Sequence, residues 1–265
     1  MIHTHRWMPP AGKTVTDRVV YILHGVGEHA GRYAPLASRL AESGYIVGAH
    51  DHPGHGLSDG KRGLIDPPGA LVTQAAIQIQ SFRVETGLPV VVLAHSMGGA
   101  IAAELVLQHE LAVAGLILSA PAFAPRLTLF QKLLLRVLVR LAPNLCIEFP
   151  YSAALLTTDP EQQRRAEADP LNHGFKSAGM IDWLSKSGER SMAFADRLNV
   201  QSLMLIAGDD KVVSNESIRQ FAEQSSADKI TLHEFAGGYH ELLNERPELR
   251  DQVMQNIDSW LARFP

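Results

Sequence analysis

The sequence predicts an α/β fold: a mostly parallel central sheet, helices on both of its faces, and a helical insertion forming a cap. Three observations carry this. Short runs rich in apolar and β-branched residues recur at 18–23, 45–49, 90–94, 113–119, 202–206 and 230–235, the pattern of strands inside a sheet covered on both sides. Stretches with apolar residues at helical spacing separate them, as βαβ units require. The alternation stops between residues 121 and 188, where only helical patterns are found, and then resumes. Residues 1–121 and 188–265 are therefore expected to form the core, with 122–187 as the cap.

The bulk numbers agree with one such unit. A chain of 265 residues can bury a large core, and α/β folds of this size are common as single units. A formal charge of −4 gives no basic face for nucleic acid. The single cysteine, Cys146, excludes an internal disulfide framework and fits a reducing compartment. Its neighbours Leu145 and Ile147 predict an inert, buried thiol. The first residues lack the apolar run of a signal peptide, and no apolar stretch is long enough to span a bilayer. The expectation is a cytoplasmic, soluble protein.

In chain order, residues 1–17 are polar and contain the turn Pro9-Pro10-Ala11-Gly12, which suggests a short edge hairpin. The strand at 18–23 runs into His24-Gly25-Val26-Gly27. A helix at 33–41 stops near Gly44, a natural C-terminal signal. The strand at 45–49 opens into a loop holding His50, His52 and His55. A helix at 70–85 precedes the strand at 90–94, and a second at 97–108 starts with the small residues Gly98-Gly99-Ala100. Within the cap, helices are expected at 127–141, 160–168 and 175–186, punctuated by Pro143, Pro150, Pro160 and Pro170. The last helix, 247–264, is amphipathic, with Leu249, Val253, Ile257, Trp260, Leu261 and Phe264 on one face.

Ser96 is where a buried strand turns sharply into a helix. Ala94 and Gly98 flank it two residues away on each side, and both are small enough for a tight turn that exposes the hydroxyl at the sheet end. The new helix adds free N–H groups and positive dipole there. A serine hydroxyl is hardly ionised at neutral pH, so it needs a base and a group to orient that base. Two loops, each following a strand, supply candidates: Gly208-Asp209-Asp210-Lys211-Val212 and Gly237-Gly238-Tyr239-His240-Glu241. Carboxyl ends of parallel strands converge on one crevice, so these loops can meet Ser96. His240 is the candidate general base and acid, with Asp210 or Asp209 orienting it. Candidate donors for an oxyanion are the backbone N–H groups of Met97 and Val26.

Four blocks carry a resemblance: His24-Gly25-Val26-Gly27-Glu28-His29-Ala30-Gly31-Arg32-Tyr33, Asp51-His52-Pro53-Gly54-His55-Gly56-Leu57-Ser58, His95-Ser96-Met97-Gly98-Gly99 and Tyr239-His240-Glu241-Leu242-Leu243-Asn244-Glu245. Together they resemble the α/β-hydrolases of the monoacylglycerol lipase and lysophospholipase-like group over about 18–121 and 200–265. The resemblance implies a serine carboxylester hydrolase acting on single-chain lipid esters through an acyl-enzyme, with no cofactor. It favours Asp210, which stands two residues before an aliphatic residue. Two positions depart from the group's usual glycines: Ala94 and Ala207. The second keeps Asp209 as an alternative. The cap matches no motif, and a small-ester esterase, thioesterase or acyltransferase would use the same triad. A non-catalytic binding protein of this fold is disfavoured by the intact set.

Other residues have plainer readings. His50, His52 and His55 are expected to be structural, and no metal is expected. His24 and His29 are expected to hydrogen-bond backbone in their loop. The helix at 127–141 is apolar nearly all round, with Lys132, Arg136 and Arg140 in one stripe. It reads either as a packed cap helix whose basic side chains snorkel to water or as an interfacial helix resting on lipid.

Overall fold

The computed structural model describes residues 1–109, 111–149 and 152–263, so that Pro150 and Phe264 lie outside the described residues. The strands in chain order are β1 (Thr4–Trp7), β2 (Val19–Leu23), β3 (Val47–His50), β4 (Val90–His95), β5 (Gly115–Ser119), β6 (Cys146–Glu148), β7 (Phe175–Ser177), β8 (Ser202–Ala207) and β9 (Ile230–Phe235). The helices are α1 (Ala34–Glu42), α2 (Ala70–Thr86), α3 (Met97–Leu107), α4 (Leu129–Leu141), α5 (Pro160–Ala168), α6 (Ala178–Ala193), α7 (Asn215–Gln224) and α8 (Pro247–Arg263).

Seven strands form one sheet in the order β1-β3-β2-β4-β5-β8-β9. All neighbours are parallel except β1, which runs antiparallel to β3. Every residue of β2, β3, β4, β5 and β8 is buried. That is why these strands are apolar without alternation: both faces are covered by helices. From β2 the chain steps outward to β3, then returns to β4 on the other side. The crevice at the carboxyl ends of β2 and β4 is thus a topological switch point, where open α/β sheets build their sites.

Several expectations are revised. The first residues form no hairpin of their own; β1 pairs with β3 instead, Thr4 opposite His50 and Trp7 opposite Val47. The insertion is not purely helical, because β6 and β7 pair as a small antiparallel ribbon. Strands of three residues are too short to show a period. The helix expected at 175–186 starts later, as α6 at Ala178, since Phe175–Ser177 is strand and the Ser177 side chain caps the helix by accepting from Met180 N–H at 3.1 Å. Cys146 is half-buried on β6, so it is not the core thiol its apolar neighbours suggested. Helix α7, absent from the expected elements, is amphipathic and buries Asn215, Ser217, Ile218 and Phe221 of its ten residues. On α8 the buried set is Val253, Met254, Ile257 and Leu261, with Leu249 and Trp260 packed partly against the core.

Met180 and Trp183 of α6 are buried in the hydrophobic core, and two further kinds of contact join the inserted elements to it. One is polar: Ser187 of α6 donates to the Glu104 carboxylate of α3 at 2.5 Å, beside Arg190 at 2.9 Å. The other is backbone docking between loops. His173 N–H donates to Gly27 C=O at 2.8 Å, Ser177 N–H to Gly63 C=O at 2.8 Å, and Glu241 N–H to Leu156 C=O at 2.7 Å. Gly27 has φ +75°, and a Cβ there would sit 2.3 Å from His173 O, so only glycine admits this approach. Helix α4 differs: none of its residues is buried, and Leu129, Phe130, Leu133 and Leu141 are all more than half exposed. Thr128 and Gln131 close its amino end as a reciprocal capping box. Among the described residues, no helix is long and apolar enough to cross a membrane.

Candidate active site

Strand β4 ends on His95, and the next residue is forced out of any ordinary conformation. Ser96 has φ 51° and ψ −116°, one of two non-glycine residues with positive φ among those described. Such a backbone costs of the order of 1–3 kcal/mol and persists only where its surroundings fix it. Here they do: Ser96 N–H donates to Ser119 C=O at 3.0 Å, and its own C=O accepts from Ala122 N–H at 3.0 Å and Ala100 N–H at 3.2 Å. The turn leaves no room beside it. A Cβ on Gly98 would fall 2.3 Å from Leu23 O, so α3 can start here only from glycine.

The hydroxyl meets an imidazole. Ser96 Oγ donates to His240 Nε2 at 2.8 Å, and His240 Nδ1 donates to Asp210 Oδ2 at 2.7 Å. Three loops, after β4, β8 and β9, supply this chain of groups, and all three side chains are buried. Asp210 is fixed from its other oxygen, which accepts from Val212 N–H at 2.7 Å and Val213 N–H at 2.9 Å. Burial alone would raise its pKa. His240 and the two N–H groups outweigh that and leave the carboxyl below its ordinary value. Asp209, the neighbouring alternative, is exposed, and its N–H donates to Gly238 C=O at 2.9 Å. Geometry thus brings Asp210 to His240 and leaves Asp209 in solvent.

The cavity beside Ser96 has a volume of about 170 Å³. Val26 lines it together with Ser96 and His240, and Leu155, Leu156 and Val212 supply apolar wall. Met97 is the first residue of α3, where backbone N–H groups have no partner within the helix. Val26 and Met97 N–H groups therefore both belong to segments that border the hydroxyl.

A polar network that no sequence pattern assigned borders the cavity, whose lining includes Glu28 and Glu241. Arg32 forks onto Glu241 at 2.8 and 2.6 Å and reaches Glu28 at 2.9 Å. Glu28 also accepts from Gly25 N–H at 2.6 Å and Tyr33 OH at 2.8 Å. It links the loop of Val26 to the loop of His240. Burial works against the Glu241 charge, but Arg32, with help from His95 and Asn244, holds its carboxyl at about 2. Burial raises Glu28 despite Arg32, with Glu241 adding to the rise. The i,i+4 spacing of Glu28 and Arg32 was visible in the sequence; their pairing with Glu241, 209 residues on, was not.

The histidines of the neighbouring loops are structural groups kept neutral by burial. His24 Nδ1 donates to Gly25 C=O at 2.7 Å and its Nε2 accepts from His52 N–H at 2.9 Å. Burial lowers His52 to about 4, and His55 and His95 to about 3. His29, expected to bond backbone, instead meets the Asp169 carboxylate at 2.9 Å. Asp51 accepts from Ala30 N–H at 2.8 Å, Leu57 N–H at 2.9 Å and His5 at 3.2 Å. Among the described residues one group could hold a metal ion. His3, His5 and Asp51 bring three ligand atoms within 4.8 Å of one another, and none of these is His50, His52 or His55.

Residues 14–247 match the family described as Serine aminopeptidase, S33 (Hydrolase_4). This chain belongs to that family. It is 31% identical to human monoglyceride lipase over 264 residues, covering 97% of this chain and 86% of the relative. It is also 31% identical to the monoacylglycerol lipase of Mycolicibacterium smegmatis, covering 92% of this chain and 88% of that one. Among solved structures, a monoacylglycerol lipase from Paleococcus ferrophilus superposes with a TM-score of 0.87 at 30% identity, each chain covered in full. The soluble variant of the Saccharomyces cerevisiae monoglyceride lipase superposes with a TM-score of 0.88 at 19% identity, a likeness of fold. This Hydrolase_4 member is an α/β-hydrolase and a serine ester hydrolase.

Proposed function

We propose that this protein hydrolyses single-chain lipid esters, monoacylglycerols or lysophospholipids, through an acyl-enzyme formed on Ser96. The observation that carries the reading is the pair of short hydrogen bonds from Ser96 to His240 and from His240 to Asp210. In the mechanism they support, Ser96 Oγ attacks the ester carbonyl while its proton passes to His240 Nε2. The ionised Asp210 holds the Nδ1–H tautomer and stabilises the imidazolium that forms. The N–H groups of Val26 and Met97 hold the oxyanion of the tetrahedral intermediate. His240 then protonates the departing alcohol. A water, deprotonated by the same nitrogen, releases the fatty acid and restores Ser96.

The relatives named as monoacylglycerol lipases support the lipid class, as do the apolar walls offered by Leu155, Leu156 and Val212. Residues 122–187 act in this reading as a cap that selects the substrate. The apolar, exposed face of α4 suits contact with a lipid surface, with Lys132, Arg136 and Arg140 near the head groups. The single cysteine suits a cytoplasmic place of work.

A fluorophosphonate probe should label the wild-type protein and leave Ser96→Ala unlabelled; equal labelling would remove Ser96 as the nucleophile. An acyl chain-length series, run on monoacylglycerols, lysophospholipids and p-nitrophenyl esters, tests the substrate class. Turnover confined to short water-soluble esters would replace the lipase reading with that of a small-ester esterase.

A further inference from the structure

Three side chains at the edge of the sheet, none of them in the lining of the catalytic cavity, meet as a set of metal ligands. His3 stands just before β1, His5 lies on β1, and Asp51 follows the last residue of β3. Residues two apart on an extended chain point to the same side. The two imidazoles accordingly meet edge to face, with centroids 4.7 Å apart. Because β1 runs antiparallel to β3 with Thr4 opposite His50, Asp51 comes to lie opposite His3. Asp51 N–H donates to His3 C=O at 2.9 Å, and His3 N–H donates to Ser58 Oγ at 2.9 Å. The backbone of each contributor is therefore tied to the other's strand or loop.

The spacing of the ligand atoms suits zinc. His5 Nε2 lies 3.2 Å from Asp51 Oδ1. Two atoms bound at about 2.0–2.1 Å to a tetrahedral zinc stand about 3.3 Å apart, so this pair already spans one tetrahedral edge. The ligand atom of His3 lies within 4.8 Å of the other two. The His3 ring is half-buried and makes no hydrogen bond among the described residues. A turn about its side-chain torsions can close the remaining distance without breaking one.

Asp51 is prepared for the role. Its side chain is fully buried, and no lysine or arginine pairs with it among the described residues. A buried carboxylate without a permanent cation is costly. Oδ1 accepts from Ala30 N–H at 2.8 Å and Oδ2 from Leu57 N–H at 2.9 Å, bonds of the kind that orient a ligating carboxylate. The other acceptor direction of Oδ1 is the one His5 meets. Trp7 steadies His5 in turn, the two rings stacked 7° from parallel with centroids 5.7 Å apart. The His5 side chain is 19% exposed, which leaves water a way in to complete the coordination.

We propose that His3, His5 and Asp51 bind one zinc ion, with water as the fourth ligand, and that the ion staples β1 to β3 and to the loop 51–58. Two imidazoles select zinc over magnesium or calcium, whereas copper(II) and nickel(II) would compete for the same ligands. The site is separate from the chemistry, since β2 stands between β3 and the strand that carries Ser96. It holds whatever ester the enzyme prefers.

Calorimetric titration of the untagged protein with zinc sulfate is the test. One equivalent should bind. His3→Gln and His5→Gln should each weaken binding by at least about tenfold. His233→Gln, at an exposed histidine of β9, should leave it unchanged. Cobalt(II) should give the visible d–d absorption of a tetrahedral site in wild type and lose it in His3→Gln and His5→Gln. With free zinc about a hundredfold above its Kd, the thermal midpoint should rise by at least about 5 °C. Amide exchange of Thr4–Trp7 should slow under the same conditions. Asp51→Asn also disturbs two backbone contacts, so the histidine variants decide, with fluorophosphonate labelling to show that each is folded. An absence of binding up to about 100 μM zinc overturns the site. So does binding that neither histidine variant weakens, binding lost in His233→Gln, or exchange that slows elsewhere and not in β1.

Discussion

The Arg32 guanidinium meets the Glu241 carboxylate in a two-bond fork at 2.8 and 2.6 Å, with both side chains less than a tenth exposed. Glu241 follows His240 in sequence, and Arg32 also holds Glu28, whose other oxygen holds Gly25 N–H. Removing the arginine would leave two buried carboxylates without their cation. Arg32→Met is therefore expected to lose about 3–5 kcal/mol of stability, the range for breaking a buried pair from one side. Urea denaturation checks this. Turnover of the folded fraction should fall as well, because the two loops that present Val26 and His240 lose their common tether.

The two adjacent aspartates should separate cleanly. Asp210→Asn keeps the shape of the side chain but favours the wrong imidazole tautomer, and kcat is expected to fall by about 10³–10⁴. Asp209→Asn, at an exposed side chain, should stay within about twofold of wild type. Steady-state rates on one p-nitrophenyl ester suffice. The reverse order would move the orienting acid to Asp209.

Acid should destabilise the protein well above the carboxylate range. His52 is held at about 4, and His55 and His95 at about 3, by burial. In the unfolded chain each takes up a proton near pH 6.5. Between that pH and about 4 the unfolded state thus binds more protons than the folded state, and stability falls as pH falls. A drop in thermal midpoint of at least about 5 °C from pH 7 to pH 5 is expected by calorimetry. His55→Gln should make the slope shallower. Glu241, held at about 2, adds its own loss at lower pH, from about 4 downward.

Exposed leucine and phenylalanine on α4 should matter for lipid surfaces and little for dissolved substrate. Phe130→Glu together with Leu133→Glu is expected to weaken co-sedimentation with anionic vesicles by about tenfold. Rates on a short p-nitrophenyl ester should change by no more than about twofold. Equal binding of variant and wild type would assign α4 to packing within the protein or with a partner.

The fold was legible because its central strands are buried on both faces and so show as unbroken apolar runs. The turn at Ser96 was legible because steric crowding restricts the residues around it, as the 2.3 Å approach at Gly98 illustrates. What escaped notice has short or distant causes. Strands β6 and β7 have three residues each and no room for a period. Glu241 and Arg32 meet across most of the chain, and no local pattern encodes such a pair.

The insertion over the cavity is fastened unevenly. Between residues 156 and 177 it is pinned to the core loops by backbone bonds at Leu156, His173 and Ser177, and by Thr158, which donates to the Glu245 carboxylate. Helix α4 has no buried residue to set against the cost of ordering it. One half of the roof is bolted to the walls and the other merely leans on them. Amide hydrogen exchange should run fastest through α4, and traffic of long acyl chains in and out of the cavity should pass on that side. The walls around Leu156 and His173 would then stay fixed while the door beside them swings.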